Sequence, residues 1–167
     1  MNVSNALKVL FEHKFSILTE NIFLKDSIGR TLSKPITVKK SIPEFDTSSM
    51  DGFAIKKSSL GKIKRFRILG EIPAGSKSGY VIRPYQCVRV YTGSRMPKNA
   101  DFVVLQENTT VENGFMHVVT VDKKSPYVRK KGLDFHRGQV INHSMIVDFK
   151  LISALASLNL ENVSVIK

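Results

Sequence analysis

Three short segments carry side chains that could hold an anion or act on one. The first is Pro43-Glu44-Phe45-Asp46-Thr47-Ser48-Ser49-Met50-Asp51-Gly52-Phe53-Ala54-Ile55, where hydroxyl and acidic residues run into an Asp-Gly pair and then an apolar, strand-like tail. Gly52 admits a turn closed to other residues, so the Asp51 carboxylate is placed in space and not merely solvated. An ordinary Asx-type turn before a strand explains the same pair. In the second segment, Thr92 precedes Gly93 between two strand-like runs, and its hydroxyl either binds an oxyanion or closes its own turn. The third places the cations Arg129-Lys130-Lys131 just before Gly132 and Asp134, a composition suited to a phosphate-bearing ligand. Asp134, read alone, fits a loop Asx motif better than a binding role. Ser48 and Ser49 either contact phosphate through hydroxyl and backbone N–H groups or stabilise their own loop. Glu107, at a strand end, is a supporting group or plain surface.

These segments need elements to position them. Apolar Leu7, Leu10, Phe11, Phe15 and Leu18 recur at helical spacing and predict an amphipathic helix over 4–18, with Asn2 or Ser4 as its cap. A short helical turn is expected over 26–29. The middle of the chain reads as short strands at 53–55, 66–69, 87–91, 102–105 and 115–121, separated by Gly and Pro. Asn113-Gly114 signals a hairpin before the last of them. Asp148 is positioned to cap a helix through Leu158 that buries Phe149, Ile152, Leu155 and Ala156, and a final strand follows over 161–167. The fold class expected is mainly β with a few helices (α+β): a β-rich module over 42–124 inserted into a second module made from 1–41 and 125–167.

Composition narrows the function classes. The chain has 167 residues, 42% hydrophobic and 24% charged, enough for one core or two small ones. Its start lacks the pattern of a secretion signal and no apolar run approaches the ~20 residues of a membrane span, so a cytoplasmic protein without a membrane partner is expected. Cys87 is the single cysteine, which excludes an internal disulfide and reads as a small packed side chain. The four histidines, His13, His117, His136 and His143, show no metal-ligand spacing. A net charge of +12 attracts polyanions. The cations are nevertheless scattered, without an aromatic single-strand platform or a helix-turn-helix or zinc-finger pattern, so no nucleic-acid partner is expected.

Taken together in order and spacing, the Met50-Asp51-Gly52-Phe53-Ala54, Thr92-Gly93 and Gly132-Leu133-Asp134 segments resemble the N-terminal region of the MoeA/gephyrin-type molybdopterin molybdenumtransferases. Gly29-Arg30-Thr31-Leu32 is similar to that family's Gly-Arg-x-Leu segment, and Leu155-Ala156-Ser157-Leu158 to its last helix before the next domain. Where the family has Leu-Gly, this chain has Leu158-Asn159, and Asn also tolerates a left-handed helix end. Family members continue into a molybdopterin-binding α/β domain and a C-terminal β-domain, so a chain ending at Lys167 is expected to be a fragment or a short homologue.

The resemblance implies bifurcated sheets, a homodimer, and half of an intersubunit site that inserts molybdenum from molybdate into adenylylated molybdopterin. Possible partners are molybdopterin adenylyltransferase and molybdoenzymes. Carried over residue by residue, it implies Asp51, Thr92 and Asp134 as catalytic, Ser49, Gly52, Gly93 and Arg129 as substrate-binding, and Asp51 with Asp134 as ligands of Mg2+. Carboxylates facing two anions need a cation between them, and magnesium accepts carboxylate, phosphate and water oxygens. A non-catalytic scaffold for dimerisation or partner binding is the alternative.

Overall fold

The computed structural model describes residues 2–12, 17–77 and 79–167. In chain order the elements are α1 (Val3–Glu12), β1 (Thr19–Phe23), β2 (Ile36–Thr37), β3 (Thr47–Ser48), β4 (Gly52–Ile55), β5 (Arg65–Ile72), β6 (Gln86–Val90), β7 (Phe102–Leu105), β8 (Thr109–Glu112), β9 (Phe115–Val118), β10 (Val128–Arg129), β11 (Val140–Ile141), α2 (Phe149–Ser157) and β12 (Asn162–Ile166). Among the described residues the protein is mainly β with two α-helices, as expected. Two compact units divide it: 1–38 with 140–167, and 39–139. The stretch 125–139, grouped above with the chain ends, lies in the inserted unit. The reason is local pairing, since β10 pairs antiparallel with β3 and the amides of Gly132 and Asp134 donate to the carbonyls of Pro43 and Ile42.

In the unit built from the chain ends, β1 pairs antiparallel with β12, and β2 with β11. Leu151 and Leu155 of α2 pack with Leu24, Leu32, Val147, Val163 and Val165. Asp148 caps α2 by accepting from the Leu151 N–H at 2.7 Å, a contact of the kind that stabilises a helix by about 1 kcal/mol. Asn159 follows in the left-handed region, φ 57°. Phe149 and Ala156 depart from expectation: Phe149 is 75% exposed and Ala156 is exposed, because the buried stripe of α2 runs through Leu151 and Leu155 and leaves both off it. At the other end α1 is shorter than the helix predicted over 4–18. Asn2 caps it through the Asn5 N–H, Ile17 and Leu18 are not helical, and Phe15 and His13 lie outside the described residues. No residue of α1 is buried.

The inserted unit holds a six-stranded mixed sheet in the order β7-β4-β6-β5-β9-β8, parallel only between β5 and β6. All four residues of β4 are buried, because the sheet is covered on both faces. Phe53, Ile55, Phe66, Cys87, Phe102, Val104 and Met116 form the core on one side; Ala54, Ile72, Ile82, Val88, Val90, Met96 and Val103 form it on the other. Burying each large side chain of this kind contributes roughly 1.5–3 kcal/mol, which makes β4 a rigid base for the residue preceding it. Asn113 and Gly114 both take positive φ in the β8–β9 hairpin, as a tight turn of that hand requires. Strand β9 ends at Val118, short of the expected 121.

Candidate functional site

Asp51 occupies the bend between β3 and β4. Its direction is set by Gly52, where a Cβ would stand 2.1 Å from the Val104 carbonyl oxygen of β7, so no other residue fits without moving a strand. The β4–β6 register pairs Gly52 with Val90, which brings the residue before β4 against those just after β6. The result is a pair of hydrogen bonds on one oxygen. Asp51 Oδ1 accepts from the Thr92 N–H at 2.8 Å and from Thr92 Oγ1 at 2.9 Å. The backbone N–H of Thr92, then its hydroxyl, hold the Asp51 carboxyl below the usual carboxylate range, with Arg89 adding a smaller charge effect in the same direction. Asp51 is thus an ionised, half-exposed carboxylate beside an exposed threonine.

The Thr92 turn is itself anchored. Gly93 has φ +84°, and its N–H donates to the Ser48 carbonyl at 2.9 Å while the Ser48 N–H donates to the Ser94 carbonyl at 2.9 Å. Ser94 is fully buried; its hydroxyl accepts from the Tyr91 N–H at 2.9 Å and donates to the Ile72 carbonyl at 2.6 Å. Sequence reasoning passed over Ser94. The available signal was a hydroxyl three residues after Tyr91, the spacing at which a serine closes a turn. Ser48 donates its hydroxyl to the Met50 carbonyl at 2.5 Å and the Ser49 N–H donates to the Tyr127 carbonyl at 3.0 Å. The Ser48 hydroxyl thus bonds within its own loop, and the Ser49 N–H ties that loop to the Tyr127 segment.

On its other side β3 pairs with β10, Thr47 opposite Arg129. Arg129 Nη2 donates to both oxygens of Asp134, at 2.9 and 2.7 Å. The expected site residues therefore come together in two pairs, Asp51 with Thr92 and Arg129 with Asp134, each attached to β3. A third carboxylate went unnoticed in the sequence: Asp46 accepts from Lys130 Nζ at 2.8 Å and from the Lys131 N–H at 2.9 Å. Burial opposes its ionisation, yet these two bonds and the Lys130 charge outweigh it and leave its pKa lowered. No local pattern links residues 84 apart in the chain. Glu107 is exposed, with Gln106 as its neighbour at 3.4 Å.

Both expected magnesium ligands are engaged by neighbouring donors. Asp134 offers both oxygens to Arg129 and Asp51 offers one to Thr92, and among the described residues no three His, Cys, Asp or Glu side chains are grouped to hold an ion. Cys87 is buried, and burial pushes its thiol up to about 12. Among the described residues no helix is long and apolar enough to cross a membrane.

Residues 1–159 match the family model described as the MoeA N-terminal region, domains I and II. A molybdopterin molybdenumtransferase from Bacillus subtilis is 35% identical over 132 residues, 74% of this chain and 31% of that protein. One from Staphylococcus aureus is 29% identical over 178 residues, 99% of this chain and 41% of that protein. The crystal structure of a molybdopterin biosynthesis MoeA protein from Pyrococcus horikoshii superimposes with TM-score 0.78 at 27% identity, covering 97% of this chain and 44% of that one. This chain spans less than half the length of each of these relatives.

Proposed function

The chain belongs to the family of MoeA N-terminal regions, and from that premise we propose that it supplies half of an intersubunit site at which a molybdopterin molybdenumtransferase inserts molybdenum from molybdate into adenylylated molybdopterin. The observation that carries this reading is the Asp51–Thr92 pair, a carboxylate kept ionised by two donors at the end of a rigid strand. Thr92 spends its N–H and hydroxyl proton on Asp51 Oδ1, so its hydroxyl oxygen is left as an acceptor. Asp51 keeps its second oxygen as a base for the proton of an attacking hydroxyl or water. Gly52 admits the close approach of the Val104 carbonyl beside Asp51, and Gly93 takes the positive φ that turns the chain after Thr92. Arg129, held by Asp134, presents a fixed cation edge to an anionic substrate.

A homodimer fits the surface of the unit that carries α1. That helix buries nothing, and Leu7, Leu10 and Phe11 are exposed at helical spacing, which favours a second copy as their cover. The scaffold reading retains one supporting observation, the Arg129–Asp134 pair, which is closed on itself.

The test joins this chain to the remaining domains of the Bacillus subtilis relative and measures molybdate-dependent turnover of adenylylated molybdopterin. Turnover in the chimera that is lost in its Asp51→Asn variant, at unchanged melting temperature, supports the reading. Equal turnover in both would leave Asp51 as a turn residue only.

A further inference from the structure

A cavity of about 360 Å3 opens in the inserted unit, lined by Gly79, Tyr80, Val81, Arg95, Met96 and Lys98. Its two cations have no counter-charge: among the described residues neither Arg95 nor Lys98 takes part in an ion pair. The Arg95 guanidinium lies over the Phe45 ring, 4.6 Å from its centroid, which fixes the group without neutralising it. Asp46, next in the chain to Phe45, accepts from the Met96 N–H through its carbonyl at 2.9 Å. Its carboxylate, however, is committed to Lys130 and Lys131.

The walls are set by main-chain bonds. The Lys98 N–H donates to the Tyr80 carbonyl at 3.0 Å and the Ile82 N–H to the Lys98 carbonyl at 3.1 Å. Tyr80 is seated against Gly70, where a Cβ would lie 2.2 Å from its hydroxyl oxygen. Arg95 and Lys98 are both exposed, and an anion entering the cavity they line gains a charge-assisted hydrogen bond from each. The rest of the lining, Tyr80, Val81 and Met96, suits an organic body.

We infer that this cavity binds a small phosphate monoester, its phosphate held by Arg95 and Lys98 and its organic part against Tyr80, Val81 and Met96. The inference is independent of the transferase reading, and its test involves no turnover.

The experiment titrates the 167-residue chain with phenyl phosphate and, separately, with inorganic phosphate at constant ionic strength, following backbone amides by NMR. Saturable shifts are expected at Tyr80, Arg95 and Lys98. Arg95→Gln and Lys98→Gln should each weaken phenyl phosphate binding about tenfold, the loss of one charge-assisted contact. Arg83→Gln, an equal change in net charge at an exposed residue outside the lining, should change it less than about twofold if general charge attraction is minor. Equal affinity for the two probes would overturn the ester assignment in favour of the free anion. Shifts that do not saturate, or an Arg83→Gln effect as large as that of Lys98→Gln, would overturn the site.

Discussion

Asp51 and Thr92, 41 residues apart, meet through two hydrogen bonds on a single carboxylate oxygen. Replacing Asp51 by Asn keeps an oxygen for both donors while deleting the charge. In a chain carrying the following domains, turnover should fall about 100-fold or more, the scale of a lost general base, with a melting temperature unchanged within a few degrees. Full activity in Asp51→Asn would remove the catalytic role.

The same pair sets a pH dependence. Because the folded pKa of Asp51 is lowered, its contribution to stability is complete above the unfolded carboxylate value of about 3.9 and is lost as pH falls through the lower folded value. Carboxyl 13C titration should place Asp51 below that reference. Thr92→Val should restore only part of the shift, since the larger cause, the Thr92 N–H, survives the substitution. A complete return would assign the effect to the hydroxyl instead.

Gly52→Ala tests the close approach of β4 and β7. A methyl group 2.1 Å from the Val104 carbonyl oxygen must displace a strand, and a cost of about 3 kcal/mol is expected. Denaturant unfolding measures it directly. A loss under about 0.5 kcal/mol, the range of ordinary surface changes, would contradict the geometry.

Arg129 and Asp134 are 48% and 41% exposed, so their ion pair should add little to stability. A double-mutant cycle with Arg129→Gln and Asp134→Asn is expected to give a coupling under about 1 kcal/mol. In the chimera, Arg129→Gln should raise KM for the anionic substrate more than it lowers kcat. The reverse pattern would make Arg129 something other than a binding group.

Cys87 is wholly buried, and burial pushes its thiol up to about 12. A water-soluble disulfide reagent should therefore leave it unmodified in the native protein at pH 8 and react at once after unfolding. Rapid labelling of the folded chain would show that the core around Phe66 and Phe102 opens.

Much of the local structure was legible because its signals are short-range. Asp148 caps α2 and Asn113-Gly114 turns the hairpin, each read from adjacent residues and steric preference, while Asn159, read against the family's Leu-Gly, takes the left-handed position after α2. What failed depended on packing. The helical period admitted Phe149 to the buried face of α2, yet the neighbouring core selects the stripe through Leu151 and Leu155. Pairing across the chain was equally hidden: β3 and β10 are two residues each, too short for any periodicity, and their union moves 125–139 into the inserted unit. Asp51, Thr92, Arg129 and Asp134 were singled out as residue types and by resemblance. Their sorting into two mutual pairs required the fold, as did Asp46 and Ser94.

Strand β3 is tied on both edges, to the Thr92 turn through Gly93 and Ser94 and to β10 through Val128 and Arg129. A two-residue strand stitched this way behaves as a shared axle. A substrate that draws the Thr92 turn outward must break the Gly93–Ser48 bond or carry β3 with it, and with β3 the arginine that holds Asp134. Tolerances at the two pairs are therefore linked, and an adjustment that improves the reach of one is felt as a misalignment of the other.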